Sequence, residues 1–294
     1  MSGEILFNKI CIIGVGLIGG SLARALRKSH SVNRIIGCGR NESNLKRAVE
    51  LDVIDEYEFD PAQAVQNADA VVLAVPLGAM AAILQQISDK LPESCLLTDV
   101  GSAKASVVRA AEAAFTSLPN NFVPAHPIAG TEKSGVESSF AELFQHRRVI
   151  LTPTKSSHKK FIEQTRRMWL ACGAEIVETD VEHHDDVLAA TSHLPHMLAF
   201  SLVDTLARRD DRKEIFDYAA GGFRDFTRIA SSDPDMWHDI CLANQTALLK
   251  SLEQYSETLS CLTKAVRQSD SEFLKQMFQR AKDARDAYCD KKEI

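Results

Sequence analysis

A chain of 294 residues has room for about two domains at roughly 100–200 residues each. With 34 basic against 40 acidic residues the net charge is −6, an acidic balance that argues against nucleic acid or a membrane surface as partner. Hydrophobic residues make up 45%, enough for a sizeable core, yet no run approaches the roughly 20 apolar residues that span a bilayer. The seven cysteines contain no C-x-x-C pair and read as reduced thiols of a cytoplasmic protein. The apolar run from Ile10 to Ile18 is interrupted by glycines and lacks the basic flank and small-residue cleavage site of a signal peptide.

Strand and helix signals alternate through the first half. Lys9–Ile13 reads as a buried strand, Leu17–Lys28 as a helix, Arg34–Cys38 as a strand and Asn44–Leu51 as a helix. Ala70–Val75 is a strand stopped by Pro76, followed by a helix over Ala79–Ile87, a strand over Ser94–Val100 and a helix over Lys104–Phe115. Asn121–Ala125, Arg148–Thr152 and Glu175–Glu178 read as the last strands, with a helix from His158 to Ala171. Continuous apolar strands alternating with helices predict a doubly wound parallel α/β sheet covered on both faces. After Asp180 the pattern is helical, with one loop from Gly221 to Pro234 and a kink expected at Pro195. The division expected is therefore a dinucleotide-binding Rossmann domain over 1–179 and a helical domain over 180–294.

Gly14-Val15-Gly16-Leu17-Ile18-Gly19 follows the first strand and opens the first helix, the context in which G-x-G-x-x-G marks a dinucleotide site. Gly14 permits the tight turn, Gly16 lets backbone approach a pyrophosphate, and Gly19 lets helix and strand pack closely. The N–H groups of Leu17 and Ile18 face the phosphates at the helix N-terminus. The second strand ends Gly37-Cys38-Gly39-Arg40-Asn41, without the carboxylate that holds the adenosine ribose in NAD enzymes. Arg40 is placed to meet a 2′-phosphate, to stack on adenine or simply to face solvent, so NAD and NADP both stay open.

Three further strand ends point to where the nicotinamide lies: Val75-Pro76, Asp99-Val100-Gly101-Ser102 and His126-Pro127. Of these side chains, His126 alone has an acid–base range near neutrality, which makes it the candidate proton acceptor; Ser102 can donate or accept a hydrogen bond. With an unperturbed histidine as base, kcat/KM is expected to fall below pH about 6.5. In the helical half, His193 and His196 share a face if the helix persists, and Arg224 and Arg228 at i, i+4 form a clamp suited to a dianion. His183-His184-Asp185-Asp186 invites a metal, but adjacent histidines point about 100° apart. That stretch reads as a carboxylate-rich helix start, and no metal site is assigned.

Taken together, these motifs resemble the prephenate dehydrogenase family, whose members are also called cyclohexadienyl or arogenate dehydrogenases. The resemblance rests on Gly14 to Leu22, Asp99 to Ser102, His126-Pro127-Ile128-Ala129-Gly130-Thr131-Glu132, Ser192-His193-Leu194-Pro195-His196 and the segment Gly221 to Ala230. It implies a Rossmann domain, a helical domain that forms a homodimer, NAD or NADP as cofactor, and prephenate or arogenate as substrate. The reaction implied is oxidative decarboxylation of prephenate to 4-hydroxyphenylpyruvate, toward tyrosine. By the same resemblance Ser102 and His126 are catalytic. Arg228 and His196 contact substrate, Arg224, Thr131 and Glu132 support them, and Trp237 lines the site. Two alternatives remain open: a Rossmann-plus-helical hydroxyacid dehydrogenase, which uses a catalytic lysine not evident here, and a non-catalytic nucleotide sensor, which needs neither His126 nor Arg228.

Overall fold

A computed structural model describes residues 4–131 and 133–290. One compact unit runs through Gln245 and a second comprises the chain from Thr246 onward. The first opens as a parallel sheet with β1 (Phe7–Ile13), α1 (Leu17–Lys28), β2 (Val32–Cys38), α2 (Glu42–Glu50), β3 (Glu56–Glu58) and α3 (Pro61–Ala64). It continues with β4 (Ala70–Leu73), α4 (Leu77–Ile87), β5 (Leu96–Asp99), α5 (Ala105–Ala114) and β6 (Phe122–Val123). The strand order is β3-β2-β1-β4-β5-β6, every pairing parallel, so the order reverses between β1 and β4. In such sheets the crevice beyond that switch point receives the ligand.

Period-2 alternation makes the sheet two-sided. Ile10 and Ile12 of β1, with Ala70 and Val72 of β4, enter one core; Cys11 and Ile13, with Val71 and Leu73, enter the other. The expected doubly wound sheet is therefore present, with β3 in addition, a Glu-Tyr-Glu strand too short and polar to carry a sequence signal.

The last strands form a sheet of their own, contrary to the single sheet expected. β7 (Ala125–Pro127) pairs antiparallel with β8 (Arg148–Leu151), which pairs parallel with β9 (Glu175–Glu178); α6 (Lys159–Ala171) lies between β8 and β9 in the chain. Pro124 explains the break: it offers no N–H to extend β6, and its carbonyl instead accepts from Thr152 N at 3.0 Å. His126 thus lies opposite Ile150 in this second sheet.

Helices complete the unit: α7 (Val181–Leu188), a π turn over Ala189–His193, α8 (Leu194–Ala207), α9 (Arg212–Asp217), α10 (Gly221–Thr227), a 3₁₀ turn over Arg228–Ser231, and α11 (Pro234–Ala243). The kink expected at Pro195 is the π turn. Proline brings no N–H and crowds the carbonyl four residues earlier, so the ladder widens just ahead of it. The loop expected over 221–234 is instead mostly helical. Gly221 and Gly222 occupy only the first turn of α10, where lost N–H bonding costs little, and Thr227 Oγ1 donates to the Phe223 carbonyl at 2.7 Å. The second unit holds most of α12 (Gln245–Gln268) and all of α13 (Ser271–Asp290). Among the described residues, no helix is long and apolar enough to cross a membrane.

The three motif glycines differ in what surrounds them. A Cβ on Gly19 would lie 2.1 Å from the Gly14 carbonyl oxygen, and one on Gly14, whose φ is +102°, 2.3 Å from the Ala74 oxygen; one on Gly16 meets nothing within 4 Å. Gly19→Ala is therefore expected to destabilise the fold by about 1–3 kcal/mol, the usual cost of overpacking. Gly16→Ala should melt near the parent temperature but bind nucleotide weakly. Thermal melts paired with nucleotide titrations test this, and equal stability of the two variants would contradict it.

Candidate active site

The cradle for a nucleotide is built from backbone. Gly14 N donates to the Cys38 carbonyl at 2.8 Å, tying the turn to β2, and Gly16 is the extended residue ahead of α1. No side chain caps that helix and no acid stands in its first turn, which leaves the N–H groups at Leu17 and Ile18 for an anion. The open space above Gly16 is where a Cβ would intrude on a pyrophosphate, so these residues fit a dinucleotide. Val75 is half-buried and Pro76 precedes α4, whose Gly78 N donates to Asp239 Oδ2 of α11 at 2.8 Å.

At the end of β2, Arg40 is exposed and forms no ion pair among the described residues. The nearest carboxylate in sequence, Glu42, is bound by Lys46 at 2.9 Å. A Cβ on Gly39 would touch Leu45 only at ordinary contact distance, so packing does not forbid a side chain there.

His126 is 8% exposed, and its Nδ1 lies 2.9 Å from Nε2 of His184, the two rings meeting edge-on. His184 Nδ1 in turn lies 2.8 Å from Oδ1 of Asp185. That carboxylate accepts from the N–H groups of Lys104 and Ala105 at the start of α5, at 2.8 and 2.9 Å. Lys104, wholly buried, sends its ammonium to Asp99 Oδ2 at 2.5 Å and to the Ala125 carbonyl at 2.7 Å. Burial, the Lys104 charge and the neighbouring His184 and His193 hold the His126 pKa well below the usual histidine value. Burial pushes the Asp185 carboxyl up, but the hydrogen bonds from His184, Lys104 N and Ala105 N outweigh it, and its pKa falls.

His184, Asp185 and Lys104 are the residues that sequence reasoning missed. The carboxylate-rich helix start holds for Asp180, which caps α7 through His183 N, and for exposed His183. It fails for His184 and Asp185, which are buried. A signal was present: Val181, His184, Asp185 and Leu188 stand at i, i+3, i+4 and i+7, the inward stripe of α7. Among the described residues, no group of three or more His, Cys, Asp or Glu side chains is arranged to hold a metal ion.

The helical residues form a second cluster reaching toward the first. His196 stacks on Trp237 with centroids 3.7 Å apart, and His193 meets the same indole edge-on at 6.0 Å. His196 Nδ1 donates to the Ser192 carbonyl at 2.8 Å, which fixes its tautomer when neutral and turns Nε2 into the acceptor. Burial lowers the His196 pKa and the Arg228 charge adds to that. His193, 1% exposed, faces the amide nitrogen of Asn244 through Nδ1 at 3.2 Å. Among the described residues, its Nε2 and the Trp237 Nε1 are buried without a hydrogen-bond partner. Such a group costs about 1–3 kcal/mol.

Other expected site residues are less engaged. Ser102 is half-buried beyond β5 and forms no hydrogen bond among the described residues. Thr131 is exposed in the loop after β7 and accepts from Lys133 N at 3.2 Å. Arg224 is exposed on α10, and Glu132 lies outside the described residues.

A six-stranded Rossmann sheet with an open glycine cradle, and a buried histidine near a helical cluster of histidines and tryptophan, define a dinucleotide-dependent oxidoreductase. The family described as "Prephenate dehydrogenase, nucleotide-binding domain" matches residues 22–178, and "Prephenate dehydrogenase, dimerization domain" matches 180–280. The cyclohexadienyl dehydrogenase of Zymomonas mobilis is 38% identical over 95% of this chain and 96% of its own length. The prephenate dehydrogenase of Bacillus subtilis is 37% identical over 95% of this chain and 76% of its own. The crystal structure of prephenate dehydrogenase from A. aeolicus, in complex with hydroxyphenyl propionate and NAD+, superposes with a TM-score of 0.88 at 38% identity, covering 95% of this chain and 97% of that one. The chain belongs to the prephenate dehydrogenase family.

Because the native fold refuses protons on His126 and His193, the latter with a pKa lowered to about 4, the unfolded chain binds more protons once pH drops below about 6.5. Stability is therefore expected to fall steadily as pH goes from about 6.5 to about 4, and further as Asp185 protonates. Thermal melts across that range read the effect directly, and a melting temperature constant over it would contradict the assignment.

Proposed function

We propose that this protein catalyses the NAD(P)-dependent oxidative decarboxylation of prephenate to 4-hydroxyphenylpyruvate in tyrosine biosynthesis, with arogenate as a second substrate. The observation that carries the mechanism is the buried His126, held neutral beside the carboxyl ends of the strands. A dinucleotide bound on Gly14, Gly16, Leu17, Ile18 and Gly19 supplies a hydride acceptor, with Val75 and Pro76 along its path. His126 Nε2 accepts the proton of the ring hydroxyl while hydride departs from the same carbon, which becomes a carbonyl. The ring carboxylate then leaves as carbon dioxide, its bonding electrons complete the aromatic ring, and the proton on His126 returns to the oxygen. Aromatisation supplies the driving force, so the protein's task is orientation and charge stabilisation.

Arg228, on the 3₁₀ turn packed against α8, the helix of His196, binds a substrate carboxylate; Arg224, Thr131 and Glu132 support that end, and Ser102 orients the hydroxyl. Between the cofactors, the end of β2 bears on the choice: Gly39 in place of a carboxylate, Glu42 bound by Lys46, and an exposed Arg40 favour a 2′-phosphate, hence NADP. The helical region from Asp180 onward is assigned to a homodimer, with the domain boundary near Thr179, in line with the dimerization-domain match over 180–280. Seven unpaired cysteines suit a reducing compartment, the cytoplasm.

The test is turnover of prephenate or arogenate with NAD or NADP, followed by nicotinamide absorbance. Since the His126 pKa is depressed, the acid limb of kcat/KM should lie below the unperturbed value of about 6.5, and His126→Asn should lose about 10²- to 10⁴-fold in kcat. Silence in all four pairings, from folded protein that still binds nucleotide, would favour a sensor. Arg228→Ala should raise KM for substrate by about 10- to 100-fold, the worth of a charge-assisted bond, with nucleotide affinity retained. Loss of nucleotide affinity alone would remove Arg228 from the substrate end.

A further inference from the structure

We infer that His184 and Asp185 are positioning residues that set the tautomer of His126, so that its Nε2 carries the lone pair that meets the substrate hydroxyl. The inference rests on the reading of His126 as base and deepens it. It follows from donors and acceptors in the buried chain. An ionised carboxylate only accepts, so His184 Nδ1 must donate to Asp185 Oδ1 across 2.8 Å. Neutral His184 then has only a lone pair on Nε2, and His126 Nδ1 must donate to it across 2.9 Å. With its proton fixed on Nδ1, neutral His126 has one free acceptor, Nε2. Turning either ring over would set two donors or two lone pairs face to face in a buried site.

Asp185 is itself held. The N–H groups of Lys104 and Ala105 bind its two oxygens, and Asn244 Nδ2 donates to its carbonyl at 2.8 Å. The start of α5 and the end of α11 thus lock the carboxylate that locks the histidines. The charged and titratable groups that face His126 come from several elements. From β5 and α5 come Asp99 and Lys104, which neutralise each other; from α7 come His184 and Asp185, and from the π turn His193. The chain His126–His184–Asp185 repeats the logic of a hydrolase triad, in which a buried carboxylate selects the tautomer of the base; here a second imidazole transmits that choice.

Histidine-selective ¹⁵N labelling of the whole protein tests this without turnover, His126→Gln identifying the His126 resonances. The expected wild-type spectrum has a protonated Nδ1 and an unprotonated Nε2 on His126. His184→Phe, which keeps a buried ring but offers no acceptor, should release that preference and lower kcat about 10²- to 10⁴-fold, with KM and nucleotide affinity near the parent values. His184→Gln can accept from His126 and donate to Asp185, and should recover most of both signals. A wild-type His126 protonated on Nε2 would overturn the inference, as would a folded His184→Phe with kcat within about threefold of the parent, or a slow variant whose His126 tautomer has not moved. If His184→Phe does not fold, the wild-type spectrum and His184→Gln decide. Should His126→Asn turn over normally while wild-type His126 carries its proton on Nδ1, the base reading fails and the tautomer relay stands.

Discussion

The buried ammonium of Lys104 is the constraint on which the rest of this site depends. It joins the carboxylate at the end of β5 to the carbonyl at the start of β7, and so fastens the six-stranded sheet to the three-stranded one. Burial alone lowers its pKa, and Asp99 and Asp185 oppose that loss. Removing one partner of such a pair costs about 3–5 kcal/mol because the other is left charged and unsolvated. The same residue's backbone N–H binds Asp185, so one short turn before α5 fixes the strand that carries His126 and the helix that carries its neighbour.

This arrangement divides the polar interior into two kinds. Around Asp99, Lys104, His184 and Asp185 the charged groups are paired or bonded, as a low-dielectric interior requires. Around His193 and Trp237 two ring nitrogens are buried without partners among the described residues, as are the hydroxyls of Thr98 and Ser106 next to Asp99 and Ala105. The paired groups run on into the chain of contacts from Asp185 through His184 to His126. His193 and Trp237 lie on the side of His196, which stacks on the same indole.

Most of the Rossmann architecture was legible because local rules and the global fold agree. Apolar strands, the glycine turn and amphipathic helices each point the same way, and β1, β2, β4 and β5 lie where the pattern puts them. What escaped was governed by long-range pairing. Nothing local says that Pro124 ends one sheet and lets β7 open another across β8. His126 was visible as an imidazole at a strand end; its partner, 58 positions later, was hidden among neighbouring acids. Only the inward stripe of α7 distinguishes buried His184 from exposed His183. Lys104 is harder still, since a lysine at a helix start reads as solvent-facing until Asp99 and Ala125 are known to surround it.

Pro195 shows how one local defect serves both halves. An unbroken helix would repeat every 3.6 residues and carry His193 and His196 past Trp237 as one regular row. The π turn over Ala189–His193 inserts extra backbone ahead of the proline and changes the phase between α7 and α8. On one side of it, His184 and Asp185 face inward to α5; on the other, His193 meets the indole edge and His196 lies flat on its face. His196 also anchors to the Ser192 carbonyl within that turn. A single irregularity, dictated by a missing N–H, thus lets one continuous helical segment meet His126 with its first turns and Trp237 with its next.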